Sequence, residues 1–260
     1  MAALDDDTRL EPDGPNQWRG AVTDRWSIVG PNGGYVATLI TRALMAASPF
    51  PDPLAMTVHF VAPAAPGPVT VEVEVMRTGR AHATLSARLH QENLVAVALS
   101  TFGRQRADGS ELLTATMPNV PPPEQCLVPT GEPAFVTTFR DRFENRVPPG
   151  GDPNFGGAGN GLPVSGGWKR LRDRELDDLA IPLFMDSAPP SIWAATGRGG
   201  AAPTVELTVH WRSKPHTRWH LAWFNTPSLR GGYFVENGEL WGEDGQLVAE
   251  SRQLARSIEN

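Results

Sequence analysis

The residues best equipped for chemistry are few. The chain of 260 residues holds six histidines and one cysteine. His216 and His220 stand four apart, a spacing that lets two imidazoles share a metal ion when both lie on one helix face. Pro215 and the strand-like run after it argue against a helix there. Cys126 lies in a proline-rich stretch with no evident partner, so nothing activates its thiol. "GGAGNG" at residues 156–161 sits in a loop without the strand–loop–helix setting of a dinucleotide site. Neither H-E-x-x-H nor G-x-S-x-G occurs in the sequence. His59 and His210 differ from these. They occupy the same place in two nearly identical phrases, "TVHF" at Thr57–Phe60 and "TVHW" at Thr208–Trp211. Equivalent placement favours a structural role for both.

The repeated phrase leads to the elements that must position any site. Leu94-Val95-Ala96 recurs as Leu247-Val248-Ala249, which lies 39 residues beyond Thr208, against 37 for the first pair. Two matched landmarks at nearly equal spacing argue for an internal duplication. In the first half, Trp18–Trp26 reads as one or two strands. Asn32 is a good N-cap, Gly33 and Gly34 open the turn, and Tyr35–Ala47 contains neither Gly nor Pro. That segment is apolar almost all round, so it predicts a buried helix, stopped by Ser48-Pro49. Four strands follow: Met56–Ala62, Val69–Val75, Ala81–His90 and Leu94–Phe102. Val69–Val75 alternates strictly, the mark of a half-buried antiparallel strand.

The second half replays this order. "AFVTTFRDRFENRV" at 134–147 opens as a strand and "SGGWKRLRD" supplies another. Leu176–Ala195 is the helix candidate, broken by Pro189-Pro190. Val205–Trp211, His220–Thr226, Gly232–Trp241 and Leu247–Arg256 are again four strands. Gly103–Pro133 is rich in Pro, Gly and charge. The expected organisation is an N-terminal unit over 1–110, a Pro-rich linker over 111–133 and a C-terminal unit over 134–260.

Composition bounds the function. Net charge is −6 with no basic block, which disfavours a nucleic-acid partner. The cluster Trp168-Lys169-Arg170-Leu171-Arg172 reads as a solvated face or strand edge. One cysteine excludes an intrachain disulfide and suits a reducing compartment. The acidic N-terminus lacks an apolar leader, and no run approaches a membrane span. The chain therefore reads as soluble and cytoplasmic.

One long buried helix wrapped by an antiparallel meander is the hot-dog arrangement. A single unit leaves its helix poorly covered and a sheet edge open, so units pair. "PNGGYVATLITRAL", "TVHFVAP", "RTGRAHATLSARLHQENLVAVALSTF", "LFMDSAPP", "PTVELTVHW" and "GEDGQLVAESRQLA" together resemble the double hot-dog acyl-CoA thioesterases, the thioesterase II type and its thioesterase-like relatives. The likeness runs from about Trp18 to Arg256. It implies an α+β fold, a tandem (double) hot-dog with two antiparallel sheets, each wrapping a central helix.

The resemblance also implies a site. In that family an Asp, a Thr and a Gln of the second repeat orient a water. Asp186 in "FMDSA", Thr204 in "PTVEL" and Gln253 in "ESRQLA" match them in order. A carboxylate can accept the water's proton, while Thr and Gln hold it at the attack angle. Backbone N–H groups at Asn32-Gly33-Gly34 are expected as donors to the developing oxyanion. Offsets of 151 to 153 residues carry Asp186, Thr204 and Gln253 onto Tyr35, Pro53 and Ser100. None of the three is retained, so one site per chain is expected. The implied reaction is hydrolysis of an acyl-CoA substrate to free acid and CoA, with no metal and no cofactor. Trp193, Trp211 and Trp223 are candidate acyl contacts, and scattered Arg side chains should meet the CoA phosphates. A non-catalytic acyl-CoA or lipid binder on the same fold is the alternative. The hydratase branch ranks last, because no Asp–His pair stands near Asn32 or Asp186. Pairing into a homo-oligomer through sheet edges is compatible with all of this.

Overall fold

The computed structural model describes residues 3–105, 115–129, 138–151, 161–197 and 200–258. The first half contains α1 (Ala3–Asp7), β1 (Glu11–Pro12), β2 (Gln17–Val22), α2 (Gly33–Ala47), β3 (Asp52–Phe60), β4 (Gly67–Thr78), β5 (His82–His90) and β6 (Leu94–Gly103). The second contains β7 (Phe143–Arg146), β8 (Val164–Leu171), α3 (Ile181–Met185), α4 (Ser191–Thr196), β9 (Thr204–Trp211), β10 (His220–Arg230), β11 (Tyr233–Gly242) and β12 (Leu247–Arg256). The strands read from the sequence are present with shifted bounds: β3 begins at Asp52 rather than Met56, β4 extends to Thr78, Trp18–Trp26 holds β2 and then a 3-10 turn at Asp24–Trp26, and β12 matches to the residue.

The expectation of two separate sheets is corrected. Among the described residues the strands form one antiparallel sheet of twelve, in the order β1-β2-β4-β5-β6-β3-β9-β12-β11-β10-β8-β7. The two halves join where β3 pairs with β9, and Thr57 lies opposite Thr208 with their hydroxyls 2.8 Å apart. These are the equivalent residues of the repeated phrase. Met56 faces Val209 and Val58 faces Leu207, so the join is a local two-fold. The physical reason is edge capping: β3 and β9 are each a terminal strand of their half with unpaired backbone groups, and a self-complementary pairing satisfies both.

α2 forms as its residues require. The Asn32 side chain accepts the Tyr35 N–H at 3.0 Å and caps the first turn. Residues Gly34–Thr41, Ala43 and Leu44 are buried. The hydroxyls of Thr38 and Thr41 donate back to Gly34 O and Ala37 O at 2.8 Å, which satisfies two polar groups in an apolar setting. The counterpart in the second half is not one helix. Leu176–Ala195 yields only the short α3 and α4, separated by Pro189-Pro190, and α3 ends at Asp186. Proline in the interior of a longer helix would remove a backbone hydrogen bond and collide with the preceding turn.

Three further readings change. Trp168-Lys169-Arg170-Leu171-Arg172 is not a solvated face. Trp168, Lys169 and Leu171 are buried, because β8 lies between β7 and β10. The Lys169 ammonium donates to Ser187 O and sits 5.2 Å from the Phe143 ring centre; burial, with Arg140 nearby, pushes its pKa down to about 7. Cys126 does have a partner. Its thiol donates to Pro121 O at 3.3 Å, beside the Trp168 indole N–H bond to the same oxygen at 2.7 Å. Met117, Val120 and Cys126 pack with Trp168, Trp219, Leu221 and Trp241, so this part of the proline-rich segment covers a second apolar cluster. The expected opening strand at 134–147 is shorter, with a 3-10 turn at Arg140–Arg142 before β7; residues 134–137 lie outside the described residues, as do 156–160 of the glycine-rich loop. Among the described residues no helix is long and apolar enough to cross a membrane.

Candidate active site

Asp186 stands where α3 ends, directly beneath the start of α2. The approach is close because Gly34 has no side chain. A Cβ there would lie 2.6 Å from Pro182 O, 2.8 Å from Asp186 Cβ and 3.0 Å from Leu183 Cα. The two ends of the chain's chemistry are thus brought together by helix packing, across 152 residues of sequence.

The carboxylate has two distinct sides. Oδ2 accepts the Gly34 N–H at 2.8 Å and the Asn32 Nδ2–H at 2.9 Å. Asn32 also donates to the Asp186 carbonyl at 2.9 Å, so its amide both caps α2 and ties α3 to it. Oδ1 faces Thr204 and Gln253 at longer range, 3.4 Å from Thr204 Oγ1 and 3.3 Å from Gln253 Nε2. Gln253 Nε2 donates to Thr204 Oγ1 at 2.5 Å. The short bonds saturate Oδ2. The long ones leave Oδ1 as the oxygen best able to take a proton from a new donor.

Burial raises the Asp186 pKa to about 6, against the opposing pull of its Gly34, Gln253, Thr204 and Asn32 hydrogen bonds. A base of that strength is half ionised near pH 6 and ionised at neutral pH. Since the proton must be absent for the base to act, kcat/KM for any reaction using it should fall about tenfold per unit below pH 6 and level off above it. A rate profile between pH 5 and 8 checks this; an acid limb near the ordinary aspartate value would show that burial does not govern the working base.

These groups open on a cavity of about 620 Å³. Val36, Phe60, Val95, Met185 and Phe224 give it an apolar wall, while Ile28 and Val29 stand exposed at its rim. Of the three tryptophans proposed as acyl contacts, Trp193 lines it. Trp211 and Trp223 do not; the Trp211 indole N–H is held by Asp178 O at 2.9 Å. No arginine is among its described lining residues, so the expected phosphate contacts do not arise within it.

The oxyanion expectation needs division. Asn32, Gly33 and Gly34 all stand at the site, but the Gly34 N–H is engaged by Asp186. Gly33 N–H has no acceptor among the described residues, and Gly33 lines the cavity. It is the first residue of a 15-residue helix, where N–H groups and the helix dipole favour negative charge.

Among the described residues the first half holds no counterpart. Tyr35 is buried with its hydroxyl on Asp7 O at 2.7 Å, the Ser100 hydroxyl donates to Ala55 O at 2.8 Å, and Pro53 is a β3 residue opposite Phe102. The histidines stand apart from the cavity. His216 pairs with Asp244 at 2.9 Å, and His220 is buried with its ring edge-on to Phe184.

Glu236 was missed in the sequence. It lines the same cavity from β11, opposite Gln253 of β12, and is 5% exposed. A signal existed. Phe234, Glu236, Gly238 and Leu240 share one face of β11, so Glu236 is a charge at a core position of an alternating strand.

Comparison with known proteins bears on the family and the fold. An uncharacterised protein of Mycobacterium tuberculosis is 26% identical over 278 residues, covering 92% of this chain and 90% of that protein. A crystal structure of a candidate thioesterase II from Thermobifida fusca is 28% identical with a TM-score of 0.88, covering 100% of this chain and 98% of the other. A hot-dog protein of unknown function from Alicyclobacillus acidocaldarius is 29% identical with the same score, covering 100% and 99%. Residues 22–103 match the acyl-CoA thioesterase N-terminal domain and residues 121–257 the acyl-CoA thioesterase C-terminal domain, so the chain belongs to the acyl-CoA thioesterase family.

Proposed function

We propose that this protein is a tandem hot-dog hydrolase that cleaves acyl-CoA thioesters to a carboxylic acid and CoA. The observation that carries the reading is the two-sided environment of Asp186, with Oδ2 locked to α2 and Oδ1 shared with Thr204 and Gln253. The acyl chain lies in the apolar cavity with its carbonyl toward the Gly33 N–H. A water between Thr204, Gln253 and Asp186 Oδ1 attacks the carbonyl carbon as its proton passes to Oδ1. Negative charge develops on the carbonyl oxygen and is met by the helix start. The C–S bond then breaks, CoA leaves as its thiolate, and the proton held by Asp186 returns to it.

Release of free thiol from short, long and aromatic acyl-CoAs, read with a thiol reagent, tests this. Turnover of at least one class is expected. Tight binding without turnover would overturn it in favour of an acyl-binding protein. Gln253→Ala adds a second test. Losing one of the groups that aim the water should lower kcat by about 10²-fold with little change in KM. An unchanged kcat would remove Gln253 from the mechanism.

A further inference from the structure

The Asp/Thr/Gln arrangement leaves one acid of the cavity unused. Glu236 Oε1 accepts two hydrogen bonds at 2.7 Å, from the Ser191 N–H and from the Ser191 hydroxyl. Ser191 Oγ lies 2.8 Å from Thr226 Oγ1. The Ser191 proton is committed to Glu236, so Thr226 donates to Ser191. This fixes the chain of protons as Thr226 to Ser191 to Glu236. With Oε1 saturated by two donors, a proton on the carboxyl group resides on Oε2. Oε2 accepts no hydrogen bond among the described residues, and the residue lines the cavity.

An ionised carboxylate is poorly suited to a wall shared with Met185 and Phe224. Burial, and secondarily the charge of Asp186, raise the Glu236 pKa to about 7, so the neutral acid is a major form near neutrality. A neutral carboxyl group offers an O–H donor on Oε2. An unsubstituted hydrocarbon chain would leave it without an acceptor, whereas an oxygen substituent on the chain would receive it.

The position bears on which part of the substrate is read. Glu236 and Gln253 are cross-strand partners, and such pairs have side chains about 5 Å apart at their base. Gln253 in turn belongs to the group that holds the attacking water. A substituent reaching Glu236 therefore sits within the first few carbons of the carbonyl.

We infer that Glu236, presented by Ser191 and Thr226, is a specificity-determining residue that selects acyl groups carrying a hydroxyl or oxo oxygen close to the thioester. This rests on the hydrolytic reading for the placement of the carbonyl. It does not touch the reacting bond itself.

The test uses matched pairs of non-hydrolysable CoA thioethers, each bearing hydrogen or hydroxyl on the second or third acyl carbon. Their affinities are measured by calorimetry for the wild-type chain, Glu236→Gln and Glu236→Leu. The wild type should bind one hydroxylated partner about 10- to 100-fold more tightly than its parent. Glu236→Gln keeps a donor at this position and should retain most of that preference. Glu236→Leu should lose or reverse it, with the pair still bound. Equal wild-type affinities within every pair overturn the inference, and that comparison needs no variant to fold. So does a preference that survives in a folded Glu236→Leu. Thiol release from the matching thioesters separates the two readings. A binding preference without turnover defeats hydrolysis and leaves the selective subsite. Turnover without preference does the reverse.

Discussion

Asp186→Asn should abolish most turnover while leaving the cavity intact. Positioned general bases contribute about 10²- to 10⁴-fold to rate, and the loss in kcat is expected within that range. The substitution is well controlled because the two oxygens of Asp186 do different work. If the new side-chain oxygen takes the place of Oδ2, it still accepts from Gly34 N–H and Asn32 Nδ2, the short bonds that hold α2 to α3. The amide nitrogen then replaces Oδ1, facing Thr204 and Gln253. That nitrogen can donate but cannot take a proton from water. The bonds to α2 are retained, the acceptor for Gln253 Nε2–H is lost, and so is the basicity. Steady-state kinetics on the best acyl-CoA, with circular dichroism to verify folding, checks this. A folded variant with undiminished kcat would remove Asp186 as the base and require another acceptor in the cavity.

The contrast between Asp186 and Glu236 shows what could be read from the sequence and what could not. Strands and the buried α2 were legible because their signal is local: β4 alternates, and α2 is apolar on all sides and capped by Asn32. The repeated phrase was legible because Thr57 and Thr208 sit in the same four-residue pattern, and these two residues face one another where β3 pairs with β9. Asp186, Thr204 and Gln253 were named through a family likeness, since no local pattern ties three residues 67 positions apart at the extremes. Their neighbours were harder. That Gly34 serves Asp186 rather than an oxyanion depends on how closely α3 rests on α2, which is tertiary packing. The single sheet depended on edge pairing between halves. Lys169 was misread because charge usually marks a surface, and only the placement of β8 between two strands shows that it is enclosed.

Gly34→Ala should damage fold and function together, from a change of one methyl group. The new Cβ would meet Pro182 O at 2.6 Å and Leu183 Cα at 3.0 Å, both backbone atoms, and Asp186 Cβ at 2.8 Å. No rotamer relieves such contacts; α3 must move away from α2. Forced overpacking of this kind costs about 1–3 kcal/mol. For a chain of this size that is roughly 2–4 °C of melting temperature per kcal/mol. The displacement also lengthens the Gly34 N–H bond to Oδ2 and shifts Oδ1 relative to Thr204 and Gln253. A misplacement near 1 Å at reacting groups costs about 10²-fold in rate. Gly33→Ala provides the comparison. Its Cβ would lie 3.0 Å from Asp186 Oδ2 and 3.2 Å from the Phe60 ring, with no backbone atom as near as those facing Gly34, so stability should fall less. Thermal unfolding and kcat measured on both variants test the argument. If Gly34→Ala melts like the wild type and keeps its rate, then α2 and α3 do not jointly hold the carboxylate, and the positioning of Asp186 must come from β9 and β12 alone.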